Sequence, residues 1–118
     1  DWVQKTGEHF DLSEKAVYHL DLILAEAVAN IIAYAYPQGG EHWIEIQAGL
    51  ADHSVLVEIC DDGQPFNPLD YPARPAPASL EEAPVGGLGI HLIRSFSTAC
   101  AYRRAGPKNI LTVTIQNS

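Results

Sequence analysis

The sequence predicts an α+β fold: a two-layer sandwich with helices on one face of a mixed, mainly antiparallel sheet. Three observations predict it. An apolar segment with helical spacing runs from Glu14 to about Tyr36. Two β-rich runs, HWIEIQA and SVLVEIC, follow with only LADH between them, the spacing of an antiparallel hairpin. A second helical stretch, IHLIRSFSTA, then precedes two more strand-like runs, CAYRR and ILTVTIQ. Helices and hairpins in this order bury their apolar faces by stacking helices on the sheet. At 118 residues the chain is one domain, 1–118, large enough for a single core.

Each element has a local reason. Residues 1–10 (DWVQKTGEHF) resemble a helix tail, a stop at Gly7 and a loop. Ser13 is an N-cap, with Glu14 in the first turn, where an acidic side chain suits the helix dipole. Val17, Leu20, Leu24, Ala27 (or Val28) and Ile31 then mark the buried stripe, and Pro37 with Gly39-Gly40 ends the helix. After the hairpin, DDGQPFNP forms a turn. Residues 69–87, which include Pro72, Pro75, Pro77 and Pro84, form a long surface loop of the kind used as a lid. Gly89 opens the second helix, with Ile90, Ile93 and Phe96 or Leu92 facing inward. The turn AGPKN joins the last two strands.

Composition excludes several classes. A formal net charge of −8, with no basic run longer than Arg103-Arg104, argues against a nucleic-acid surface. No apolar run approaches the roughly 20 residues of a bilayer span, and no signal-peptide layout opens the chain. Cys60 and Cys100, both in strand-like runs, fit reduced thiols of a cytoplasmic protein, and could be neighbours on adjacent strands.

Three separated pieces carry chemistry. Between Leu22 and Ala33 every residue is apolar except Glu26 and Asn30, which lie four apart and so share a helix face. An Asn carbonyl oxygen suits Mg²⁺, which binds through few protein ligands and through substrate phosphates, and a Glu one turn away can take a hydroxyl proton. Asp61-Asp62-Gly63 ends a strand; as an acceptor for an exocyclic amine, Asp61 could tell adenine from guanine. Gly86-Gly87-Leu88-Gly89 feeds a helix N-terminus, whose backbone N–H groups and dipole suit phosphate. Each piece alone is also ordinary turn or surface chemistry. Together they offer a metal ligand, a base, an adenine acceptor and a phosphate cradle.

The order of these pieces resembles the Bergerat-fold (GHKL) ATPases, and most closely the anti-sigma-factor serine/threonine kinases. That family's N box, E-A-x-x-N-x-x-x-H-A-Y, corresponds to EAVANIIAYAY (Glu26 to Tyr36). Its Asp-x-Gly box corresponds to DDG (Asp61 to Gly63), its ATP lid to residues 69–87, and its G-x-G box to GGLGI (Gly86 to Ile90). The resemblance implies ATP and Mg²⁺ as ligands, with Asn30 on Mg²⁺ between the phosphates and Glu26 as general base. It places Asp61 on the adenine amine, Gly63 where the base packs close, and Gly86, Gly87 and Gly89 on the phosphates. Arg74 is the lid's only cation.

The activity so implied is phosphorylation of an anti-sigma-factor antagonist of the STAS type and sequestration of a sigma factor; family members often form homodimers. A non-catalytic nucleotide- or partner-binding module is the alternative, and the ATP-binding domain of a larger histidine kinase is a third reading. Three departures stand out. Tyr34 occupies the position of the N-box His, the lid lacks lysine, and the family's first strand and part of its first helix are missing before Asp1.

Overall fold

A computed structural model describes residues 1–70 and 87–118. Helix α1 (Trp2–His9) leads to α2 (Glu14–Asn30), which continues into a π-helical turn over Ile31–Ala35. The hairpin β1 (Ile44–Ala51) and β2 (Ser54–Asp61) follows, then a 3₁₀ turn at Pro68–Asp70, helix α3 (Gly87–Phe96), and the hairpin β3 (Ala99–Ala105) and β4 (Lys108–Gln116). The strands form one sheet in the order β1-β2-β4-β3, with every pairing antiparallel.

The Ser13 cap is present: its hydroxyl accepts the Ala16 N–H at 3.0 Å. Gly7 is not a stop, since α1 runs through it to His9. Glycine is needed there for contact, because a Cβ would lie 2.7 Å from Val17 Cγ2 on α2. Both hairpins close on two residues. Asp52 reaches φ 55° in the first, and Gly106, at φ 59°, takes the first turn position of the second.

Period-two alternation sets the layers. Val55, Val57 and Ile59 of β2 and Leu111, Val113 and Ile115 of β4 face the helices, meeting Leu20, Ile23, Ala27 and Ile31 of the long helix. On α3 Ile93 is fully buried, whereas Leu92 and Phe96 are half-buried, and the Phe96 ring stacks on His19 of α2 with centroids 4.5 Å apart. The side chain of Ile90 lies outside the described residues.

Three further expectations are corrected. First, α3 begins at Gly87 rather than Gly89, so the last residue of the expected 69–87 loop is helical, and Leu69 belongs to the 3₁₀ turn. Residues 71–86, with Arg74 and Gly86, lie outside the described structure. Second, although charged residues interrupt every apolar run, one helix among the described residues, Glu14–Ala35, is by length and composition alone apolar enough to cross a bilayer, with a mean hydropathy of 1.5 over an 18-residue window. Its apolar stripe is the core stripe, packed on the sheet, which is why so greasy a helix still has polar residues on its other faces. Third, Cys60 and Cys100 are not on adjacent strands. β4 separates β2 from β3, with Cys60 opposite Ile110 and Cys100 opposite Val113, which puts the two thiols on opposite faces of the sheet.

Candidate nucleotide site

The end of the long helix is fastened to the turn after β2. The π turn widens the helix after Asn30, burying Ile31 and Ala35 while Ile32 and Ala33 stay exposed. It leaves carbonyls at the helix end without helical partners, and Gln64 takes two of them. Its backbone N–H donates to Ala35 O at 3.0 Å and its side-chain amide to Tyr34 O at 2.8 Å. The Tyr36 hydroxyl donates to Asp62 Oδ1 at 2.5 Å and accepts the Asp62 N–H at 3.0 Å. Gly63 sits where a Cβ would come within 2.6 Å of Ala35 O and 2.7 Å of Ala35 Cβ. This glycine is therefore required by the protein's own packing, a reason separate from the close approach of a base expected from the sequence.

Within that frame Asp61 is buried, at 3% exposure. Its Oδ1 accepts the Gly63 N–H at 2.9 Å and the Asn109 side-chain N–H at 2.9 Å. No donor among the described residues reaches Oδ2. Asn30 is equally buried, at 4% exposure, and its amide nitrogen has no hydrogen-bond partner among the described residues. A buried, unpaired amide N–H costs about 1–3 kcal/mol unless an acceptor completes it, so this position could take a ligand oxygen or a water. Glu26, one turn earlier on α2, is half-buried. Gly87 and Gly89 belong to the first turn of α3, where backbone N–H groups have no intrahelical acceptor.

Mg²⁺ fits this donor set. Asn30 could supply one hard oxygen, and among the described residues no group of three His, Cys, Asp or Glu forms a protein cage. An ion bound there would take its other ligands from phosphates and water, as Mg²⁺ does.

Sequence reasoning missed Asn109. Its signal was parity: the inward row of β4 reads Asn109, Leu111, Val113, Ile115, a lone amide leading an apolar series. It also gave the Tyr34 ring no position; the ring lies against Phe66, with centroids 5.2 Å apart. Electrostatics mark the helix-to-turn fastening as well. Burial, helped by the Asp62 carboxylate, pushes the Tyr36 phenol up to about 12, and the Tyr36 hydroxyl holds the Asp62 carboxyl below its ordinary range.

A helix carrying Glu and Asn one turn apart, joined at its end to a strand-terminal Asp-x-Gly turn over an antiparallel sheet, defines a class of ATP-binding domain. The chain belongs to the histidine kinase-like ATPase domain family, whose sequence profile matches residues 1–115. It is 29% identical over 113 residues to the serine/threonine-protein kinase BtrW of Bordetella bronchiseptica, covering 96% of this chain and 80% of that protein. It is 28% identical over 74 residues to the anti-sigma F factor of Bacillus licheniformis, covering 63% of this chain and 51% of that protein.

Among solved structures, the histidine kinase domain of the Erythrobacter litoralis EL346 blue-light activated histidine kinase superposes with a TM-score of 0.60 at 16% identity, over 87% of this chain and 45% of that one. The Acinetobacter baumannii histidine kinase AdeS gives 0.54 at 19% identity, over 86% and 47%. These two likenesses speak to the fold. The chain spans about half the length of the anti-sigma F factor and of the two solved kinases.

Proposed function

We propose that this chain binds ATP and passes its γ-phosphoryl group to a serine or threonine hydroxyl of a partner protein, an anti-sigma-factor antagonist, and that it holds a sigma factor in the nucleotide-bound state. The observation that carries the reading is the buried Asn30 side chain, its amide nitrogen unpaired among the described residues, one turn from Glu26, on a helix fastened to the Asp61 turn. The kinase and anti-sigma names of the two relatives support the choice of substrate and partners.

Asp61 accepts the adenine amine through Oδ2, and Gly63 shapes the floor beside it. The N–H groups of Gly86, Gly87 and Gly89 receive phosphate oxygens, with Arg74 as the lid's cation. Asn30 would hold Mg²⁺, which neutralises phosphate charge. Glu26 removes the proton from the attacking hydroxyl; as that oxygen bonds to the γ-phosphorus, the bond to the β-phosphate oxygen breaks and ADP leaves.

The test has two parts. Calorimetric titration with ATP and ADP, with and without Mg²⁺, should show Mg²⁺-dependent binding that Asp61→Asn weakens by about tenfold or more. Glu26→Ala should then retain ATP affinity while phosphotransfer to the antagonist falls by at least 100-fold, on the scale usual for a general base. Undiminished transfer in that variant removes Glu26 from the mechanism. A second reading, a binding module without turnover, draws on Tyr34, whose ring rests on Phe66. Phosphorylated antagonist in a single-turnover assay decides against it.

A further inference from the structure

Asn109 is buried at the start of β4, at 4% exposure, and every polar valence of its amide is committed to protein. The nitrogen donates to Asp61 Oδ1 at 2.9 Å and to Gln64 O at 2.9 Å. The oxygen accepts the Phe66 N–H at 3.2 Å, the Tyr102 hydroxyl at 2.5 Å and the Arg104 guanidinium at 3.1 Å. That set fixes which end of the amide is which. A backbone N–H and a guanidinium can only donate, so the oxygen must face them and the nitrogen must face the carboxylate. Arg104 adds a second tie from the same hairpin, donating to Gly63 O at 2.8 Å.

The consequence falls on Asp61. Both of its bonds, from Asn109 and from Gly63, end on Oδ1. A carboxylate held by one oxygen from two directions cannot turn freely about its terminal torsion, and its second oxygen is left as the acceptor. With no donor or acceptor to spare, Asn109 has nothing to offer a ligand directly.

We infer that Asn109 is a positioning residue for base selection: it locks the Asp61 carboxylate in the rotation that presents Oδ2 to an exocyclic amine. The inference rests on the proposal that Asp61 reads the base. Tyr102 and Arg104 extend it, because they hold the Asn109 oxygen and so tie the β3–β4 hairpin to the base-reading turn. Selectivity for a 6-amino purine is then a property of the sheet as well as of the Asp-x-Gly box.

The experiment measures dissociation constants for ATP and for inosine triphosphate, which carries a 6-oxo group in place of the amine. The full chain is used as wild type, Asp61→Asn, Asn109→Leu and Asn109→Ser. Asn109→Leu keeps the volume but none of the bonds. Asn109→Ser is the milder change and keeps a donor; circular dichroism checks that both are folded. Asp61→Asn, whose oxygen stays on the Gly63 and Asn109 donors and whose N–H₂ then faces the base, should erase or reverse the ATP-to-ITP preference. Asn109→Leu should cut the preference by about tenfold, the scale of one bond to a charged group, and Asn109→Ser by less. A purely structural role would weaken both nucleotides together and leave the ratio intact, which overturns the inference while Asp61 stands. An unchanged ratio in Asp61→Asn would instead remove Asp61 as the base reader, and the role of Asn109 with it.

Discussion

Tyr36 closes the N box with its hydroxyl against both the backbone and the carboxylate of Asp62, and the pair makes a prediction in pH. The phenol's ordinary value of 10.0 is raised to about 12. A raised value means the native state favours the neutral hydroxyl. Its contribution is complete below pH 10 and fades as pH climbs through about 12. Asp62 works in the other direction: held below its ordinary 3.8, it contributes above that value and loses its contribution as pH falls through the lower native one. The pair should therefore be insensitive to pH between about 5 and 9. Tyr36→Phe should cost about 1 kcal/mol at pH 7, and urea midpoints at pH 7 and pH 11 should converge for the variant relative to wild type. At this scale the sequence was legible wherever a residue type has one dominant use, as Ser13 does at a helix start. Asn109 was not, because its worth lies in five bonds to residues up to 48 positions away, and no local pattern announces them.

The π turn and the Asp-x-Gly turn meet at Gly63, and the element-scale prediction belongs there. An alanine Cβ would stand 2.6 Å from a backbone oxygen, a contact that cannot be relieved by turning a side chain. Gly63→Ala must therefore push the turn off the helix end, lengthening the Gln64 bond to Ala35. A loss of about 1–3 kcal/mol in urea unfolding is expected, the range for overpacking, together with weaker ATP binding because Asp61 moves with the turn. A variant as stable as wild type would show that the turn can slide without cost. Helices and hairpins were readable because cap and apolar stripe repeat a known period, but the turns read as LADH and AGPKN close on two residues, since pairing runs on through Leu50-Ala51 and through Ala105 and Lys108-Asn109. The π turn was not, since five residues of Ile, Ala and Tyr satisfy a 3.6-residue helix equally well. Nor was the passage of α1 through Gly7, which depends on Val17 across the helix pair.

Over the whole molecule, the β1-β2-β4-β3 order puts Asp61 on an inner strand with Asn109 on the strand beside it, while the long helix lies across both. That arrangement makes nucleotide binding a global event. The helix that carries Glu26 and Asn30 is the core helix, with Leu20, Ile23 and Ala27 buried beneath it. On the proposed site, a ligand oxygen that completed the Asn30 amide would stabilise the core helix itself. The architecture could be foreseen from the order of elements, whereas the strand crossover that separates Cys60 from Cys100 depends on pairings between distant segments. A ligand that binds only the folded state at 100 times its dissociation constant adds about 2.7 kcal/mol. For a chain of this size that corresponds to a thermal midpoint raised by about 11 °C. Scanning calorimetry with Mg²⁺-ATP should show that shift as one cooperative transition, and Asp61→Asn should show a smaller one at the same ATP concentration. A separate, earlier transition that ATP alone moves would mean that the site sits on a unit able to open independently of the core, against the placement of Asn30 in the core helix.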